Sequence, residues 1–143
     1  MTAIPETEAL PETATNARRV ALIVAIAFFM QLLDSTIIST SLPQMGASFG
    51  VPAVAMSIGI TVYMLTMAVF VPLSGWLADR FGARNIFLLA IILFTLASLA
   101  CGFSQNLTQF VAARVVQGLG SALMTPVGRI LVLRNASKSE LLN

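Results

Sequence analysis

The sequence predicts an all-α membrane protein of four antiparallel transmembrane helices. Three observations carry that expectation. Apolar residues make up 57% of the 143-residue chain and charged residues only 10%, against roughly 25% charged in ordinary globular chains. Four apolar segments are each long enough for a helix to cross the hydrocarbon core, which takes about 20 residues. The connections between them, PQMGASFGVP, ADRFGAR and SQN, are short, so each span runs antiparallel to the one before it.

The elements follow in order. Residues 1–17, MTAIPETEALPETATNA, hold three glutamates, two prolines and several threonines, a composition that predicts a disordered tail. A signal peptide is not expected. The basic pair Arg18-Arg19 comes late, and the apolar run after it exceeds a signal core. The first span covers about 20–42 and is expected to stop at Pro43, which lacks a backbone donor. The others cover about 53–77, 85–103 and 107–133. Six basic residues, Arg18, Arg19, Arg80, Arg84, Arg134 and Lys138, fall at one side, and the loops near 43–52 and 104–106 have none. The positive-inside rule then places the N-terminus, the ADRFGAR loop and the C-terminus in the cytoplasm.

Composition also removes function classes. The net charge of +2 is small and its basic residues are scattered, which does not argue for nucleic acid. Cys101 is the single cysteine and there is no histidine. That leaves no internal disulfide, no Ser-His-Asp or Cys-His catalysis and few zinc options. An enzyme is not expected, nor is a metal or cofactor.

Two ionisable residues lie well inside predicted spans. Charges at such depth are costly and usually face protein or a water-filled path. Asp34 lies eight residues before the outer end of the first span, roughly 12 Å in. Arg114 lies seven residues into the fourth, roughly 10 Å in. At similar depth the two can meet if their helices are neighbours. Gln31, Asp34 and Ser41 share one arc of the first helix, and Arg114, Gln117, Gly118, Ser121, Thr125, Gly128 and Arg129 form a polar or small stripe on the fourth. Arg129 is near enough to the cytoplasmic end to snorkel. Two readings of the pair stand. It is a structural tie between helices, or Asp34 titrates and carries a coupling proton. In the second reading a neighbouring guanidinium favours the carboxylate while desolvation favours the acid.

Gly118 and Ala122 form a small-xxx-small pair that permits close helix approach. Pro126, and Pro72 with Gly75 in the second span, predict kinks. Each is commonplace in a membrane helix when taken alone. In the second loop, Gly82 suits a turn of positive φ. The arginines there are also accounted for by topology, which leaves Asp79 and Gly82 to be explained.

The stretch Gly75-Trp76-Leu77-Ala78-Asp79-Arg80-Phe81-Gly82-Ala83-Arg84 resembles the loop 2–3 signature of the major facilitator superfamily. Ala83 departs from it, since a basic residue is usual there. Arg114-Val115-Val116-Gln117-Gly118-Leu119-Gly120-Ser121-Ala122 resembles the fourth-helix signature of proton-coupled antiporters in that superfamily. Leu33-Asp34, Thr36-Ile37 and Leu42-Pro43 resemble the first-helix signature of its fourteen-helix drug:proton antiporter branch, with Ser39 in place of the usual asparagine. Together the three cover residues 31 to 129.

The resemblance implies a transporter of the bacterial inner membrane that exports small drug-like compounds against proton influx. Asp34 and Arg114 would couple the proton, and Gln31, Gln117, Ser121 and Thr125 would line the cavity. Gly75, Asp79, Arg80, Gly82 and Arg84 would form the gating loop, with Gly118, Ala122 and Pro126 shaping helix packing. Members of the family have twelve or fourteen helices in two bundles. Residues 18–143 are therefore expected to be part of an N-terminal bundle, and the partners are lipid, a proton, a small-molecule substrate and the missing helices. The alternatives are a stand-alone four-helix protein acting as a dimer and a non-functional truncated fragment.

Overall fold

The computed structural model describes residues 12–140. Its helices are α1 (Glu12–Phe49), α2 (Ala53–Met56), α3 (Ile58–Phe81), α4 (Ala83–Phe103) and α5 (Leu107–Glu140). Four segments among the described residues are long and apolar enough to cross a membrane: Thr15–Phe49, Ala53–Phe81, Ala83–Phe103 and Leu107–Asn135. The described residues are all-helical, as the four apolar segments predict.

Three boundaries differ from the sequence expectation. Residues 12–17 of the expected disordered tail belong to α1, and residues 1–11 lie outside the described residues. The second span starts with one turn, α2, before α3 begins at Ile58. The third difference is at Pro43, which does not end α1. The helix runs through it for about two more turns, to Phe49. Proline forfeits one backbone hydrogen bond, whereas leaving the helix inside hydrocarbon would strip several. Hydroxyl groups also brace the turns before it. Ser39 donates to the Ser35 carbonyl at 2.9 Å, and Thr40 to those of Thr36 and Ile37 at 3.1 and 2.9 Å. The stop comes instead at Gly50, whose φ is +68°. There the Gly50 N–H donates to Ala47 O at 3.3 Å and the Val51 N–H to Gly46 O at 3.0 Å, the two closing bonds of a Schellman cap. Gly82, with φ of +87°, makes the sharp turn between α3 and α4, as its position in the loop predicts.

Helix α5 is the centre of the bundle. It packs most extensively on α4 and α3 and less on α1. Lipid tails are as apolar as leucine, so helices in a bilayer associate through close packing rather than through exclusion of water. Small residues supply that closeness. A Cβ on Gly118 would sit 2.8 Å from the Tyr63 carbonyl oxygen of α3, and one on Gly120 would sit 2.9 Å from the Phe94 nitrogen of α4. The two glycines therefore let α5 touch the backbones of two neighbours on different faces. Ala122, Ala90 and Ala97 are buried along the same seams, while large side chains such as Leu22, Phe29, Leu65 and Leu96 point outward.

The buried side chains form two apolar clusters. One, at the arginine-rich end, gathers Val24, Ala27, Phe87, Phe94, Met124 and Val127. The other, toward the opposite end, gathers Ile38, Met56, Cys101, Phe110 and Ala113. Between these clusters every long helix carries at least one polar side chain: Gln31 and Asp34 on α1, Tyr63 on α3, Ser98 on α4, and Arg114, Gln117 and Ser121 on α5.

Substituting the glycines tests this packing. Gly118→Ala and Gly120→Ala each push a methyl group into backbone and should lower stability by about 1–3 kcal/mol. Gly75, which has nothing within 4 Å of its would-be Cβ, should accept alanine with no loss. Thermal unfolding of the three variants in detergent, followed by helical circular dichroism, separates the two outcomes.

Candidate functional site

The polar layer is assembled around Arg114. Its side chain is 2% exposed and that of Asp34 is 11% exposed, and Nη1 lies 3.0 Å from Asp34 Oδ2. The similar depths read from the sequence therefore correspond to a contact, even though α1 extends beyond the end from which its depth was counted. The same Nη1 donates to Gln117 Oε1 at 2.6 Å, and Nε reaches toward the Gly59 carbonyl at 3.5 Å. Beneath the guanidinium lies the Tyr63 ring, whose centroid is 4.2 Å from Cζ. A cation held over a ring away from water gains about 2 kcal/mol. Asp34 receives a second donor, the Ser98 hydroxyl, at 3.3 Å. Both charges thus have partners, which is the condition for burying them at all.

A second cluster lies one turn further along α5. Ser121 is fully buried and its Oγ accepts from the Tyr63 hydroxyl at 2.7 Å and from Gln31 Nε2. It donates in turn toward Met67 Sδ at 3.9 Å. One hydroxyl offers one donor and two acceptor sites, so Ser121 is saturated. The Thr125 hydroxyl donates to the Ser121 carbonyl at 3.2 Å. Tyr63 belongs to both clusters, with its ring in one and its hydroxyl in the other.

The four residues expected to line a cavity differ in their burial among the described residues. Gln117 and Ser121 are fully enclosed, and Gln31 and Thr125 are half-buried against α5 and its neighbours. The reason is Gly118. It brings α3 so close to the polar stripe that the stripe meets protein rather than open space. Among the described residues the buried Nε2 of Gln117 has no hydrogen-bond partner, because its Oε1 is turned to Arg114 and to the Cys101 thiol at 3.6 Å. The open volume next to the pair lies elsewhere. A groove of about 610 Å³ runs between α1 and α4 toward the end without arginines. It is lined by Asp34 and Ser98 at its inner end, and by Ser41, Gln44, Ser48 and Ser104 further out.

The loop residues sit apart from this layer. Asp79 and Arg134 form an exposed ion pair at 3.6 Å that ties the α3 end to α5, and Arg80 stands over the Trp76 ring at 5.6 Å. Arg84 is exposed, and Gly75 touches nothing nearby beyond its own helix. On α5, Gly118 and Ala122 are buried in the seams, and the helix continues through Pro126. The sequence reading did not single out Tyr63, Ser98 or Cys101 for this site. Depth was the signal that could have found the first two, because a lone tyrosine and a serine sit in otherwise apolar helices at the level of Asp34.

Comparison with known proteins gives two results. The Major Facilitator Superfamily model matches residues 24–142. A protein of Cronobacter sakazakii named "Putative multidrug resistance protein MdtD" is 53% identical over 125 residues, covering 87% of this chain and 26% of its own length. Proteins of the same name from Salmonella paratyphi B and Salmonella newport are each 49% identical over 131 residues, covering 92% of this chain and 28% of theirs. The chain spans about a quarter of the length of the curated relatives it matches. No solved structure matches it.

The ion pair can be tested by a double-mutant cycle. Arg114→Gln leaves a buried carboxylate unpaired and should destabilise the bundle by about 3–5 kcal/mol. Adding Asp34→Asn to that variant should recover most of the loss, since both sites are then neutral. Unfolding free energies of the wild type, the two single variants and the double variant measure the coupling directly.

Proposed function

The chain belongs to the Major Facilitator Superfamily, and we propose that it supplies the first four helices of a proton-coupled exporter of small drug-like compounds. The observation that carries this reading is the buried Asp34–Arg114 pair at 3.0 Å, at the inner end of an open groove. Asp34 is the proton-carrying group, and the groove between α1 and α4, where Ser98, Ser41, Gln44, Ser48 and Ser104 stand among apolar side chains such as Leu33, Ile38 and Met45, leads from it to the end of the bundle without loop arginines. Arg114 holds the carboxylate while it is charged. Protonation removes that attraction but leaves the guanidinium its contacts with Gln117, Gly59 and the Tyr63 ring. The hold of α5 on α1 then weakens, which frees α1 to shift.

The arginine-rich end faces the cytoplasm by the positive-inside rule, in the inner membrane of a bacterium. In this reading both termini are cytoplasmic and the groove opens outward. Gln31 and Thr125, half-buried on α1 and α5, are the members of the polar stripe best placed to meet substrate in a larger bundle. Gln117 positions Arg114. The segment from Gly75 to Arg84 acts as the gating loop, with Asp79 exchanging its bond to Arg134 during the transport cycle. The names carried by the relatives from Cronobacter and Salmonella support drug-like substrates.

A chimera tests the proposal. This chain replaces the matching quarter of the Cronobacter relative, and a lipophilic cation is followed in proteoliposomes under an imposed pH gradient. Gradient-driven export should occur with the wild-type segment and fall at least tenfold with Asp34→Asn. Export that survives Asp34→Asn unchanged leaves the pair a structural tie only.

A further inference from the structure

Tyr63 is the single tyrosine of the chain, and it is the one side chain that belongs to both polar clusters. Its ring centroid lies 4.2 Å from Arg114 Cζ, and its hydroxyl lies 2.7 Å from Ser121 Oγ, which also accepts from Gln31. No side-chain hydrogen bond between described residues runs directly from the pair's cluster to the Ser121 cluster. Arg114 bonds Asp34, Gln117 and Gly59, while Ser121 bonds Gln31, Tyr63 and Met67. The rigid ring is the bridge.

We propose that Tyr63 is a positioning residue that passes the charge state of the Asp34–Arg114 pair to the Gln31–Ser121 cluster. The inference rests on the reading of Asp34 as the proton carrier. When Asp34 is charged, Arg114 is held between the carboxylate and the ring face. When it is neutral, Arg114 loses one of its anchors and moves relative to the ring. The Tyr63 backbone is held close to α5, since a Cβ on Gly118 would lie 2.8 Å from the Tyr63 carbonyl oxygen. The side chain is free to tilt about Cα–Cβ, which displaces the hydroxyl, and to rotate about its long axis, which leaves the oxygen in place but turns the plane in which the O–H lies; both change the hydroxyl's aim at Ser121. Ser121 is saturated, so a weakened bond from Tyr63 is felt by Gln31 on α1. In this way a proton on one face of α1 alters the grip on α1 one turn away.

The charged and titratable groups around Tyr63 are few. Asp34 faces it from α1, Arg114 from α5, and the Cys101 thiol of α4 reaches the layer through Gln117. That simplicity makes the single tyrosine a usable reporter. The chain is reconstituted in lipid nanodiscs and titrated with acid, with the Asp34 carboxyl stretch followed by infrared difference spectroscopy. Ultraviolet resonance Raman follows two tyrosine signals: the ring modes, sensitive to the cation, and the Fermi doublet, sensitive to the hydroxyl's hydrogen bond.

Both tyrosine signals should change together with the carboxyl signal. They should be flat in Asp34→Asn and persist in Cys101→Ser. In Ser121→Ala only the ring modes should respond. A carboxyl signal with a silent tyrosine overturns the role of Tyr63 while leaving the proton carrier intact. Ring modes that respond in the wild type while the Fermi doublet does not overturn the transfer to Ser121. Absence of any titrating carboxyl that Asp34→Asn removes overturns the proton carrier and the coupling together.

Discussion

A carboxylate and a guanidinium are both unwelcome in hydrocarbon, and in this bundle each is made tolerable mainly by the other. Asp34 and Arg114 lie between two apolar clusters, at a level where every long helix contributes a polar side chain. Much of the rest of the structure is arranged around that need. Ser98 gives Asp34 a second donor, Gln117 turns its amide oxygen to Arg114, and Tyr63 places its ring under the guanidinium. Gly118 and Gly120 allow α3 and α4 to come close enough to seal the layer. The partnerless Nε2 of Gln117 is a consequence, because the geometry that serves Arg114 leaves that amide nitrogen with nothing to bond among the described residues.

In the proposed reading the same layer joins stability to function. Among the described residues the ion pair is sealed on the α5 side, and on the α1 side the groove reaches Asp34. The asymmetry follows from packing, since α5 is pressed against two neighbours while α1 touches it along a lesser seam. A group that must gain and lose a proton is best carried by the more weakly held helix, where the change in attraction has something to move.

Much of this was legible in the sequence. Four long apolar segments, and loop and terminal basic residues confined to one side, predict the spans. The depths of Asp34 and Arg114 predict a contact that the structure contains, because a buried charge has few options. Gly82 was readable as well, since its short loop calls for a turn of positive φ, which it has. What the sequence concealed depends on neighbours. Pro43 reads as a stop, yet within a membrane the cost of leaving a helix exceeds the loss of one bond, and the stop moved to Gly50. The stripe of Gln117 and Ser121 reads as cavity wall, yet Gly118 lets α3 cover it. Tyr63 attracts no notice in an apolar run until Arg114 is placed over its ring.

The central claim is that Asp34 changes protonation within the bundle and that its contact with Arg114 changes with it. The chain has only two aspartates, Asp34 and the exposed Asp79, so carbon-13 labelling of aspartate yields two carboxyl signals in a solid-state NMR experiment on the chain in bilayers. With nitrogen-15 arginine, the dipolar coupling between the Asp34 carboxyl and the Arg114 guanidinium can be followed across a pH titration. A proton-carrying Asp34 gives a carboxyl shift that titrates and a coupling that is strong when the group is charged and weakens when it is protonated. A carboxyl shift and a coupling that both stay constant from acid to alkaline pH would contradict it.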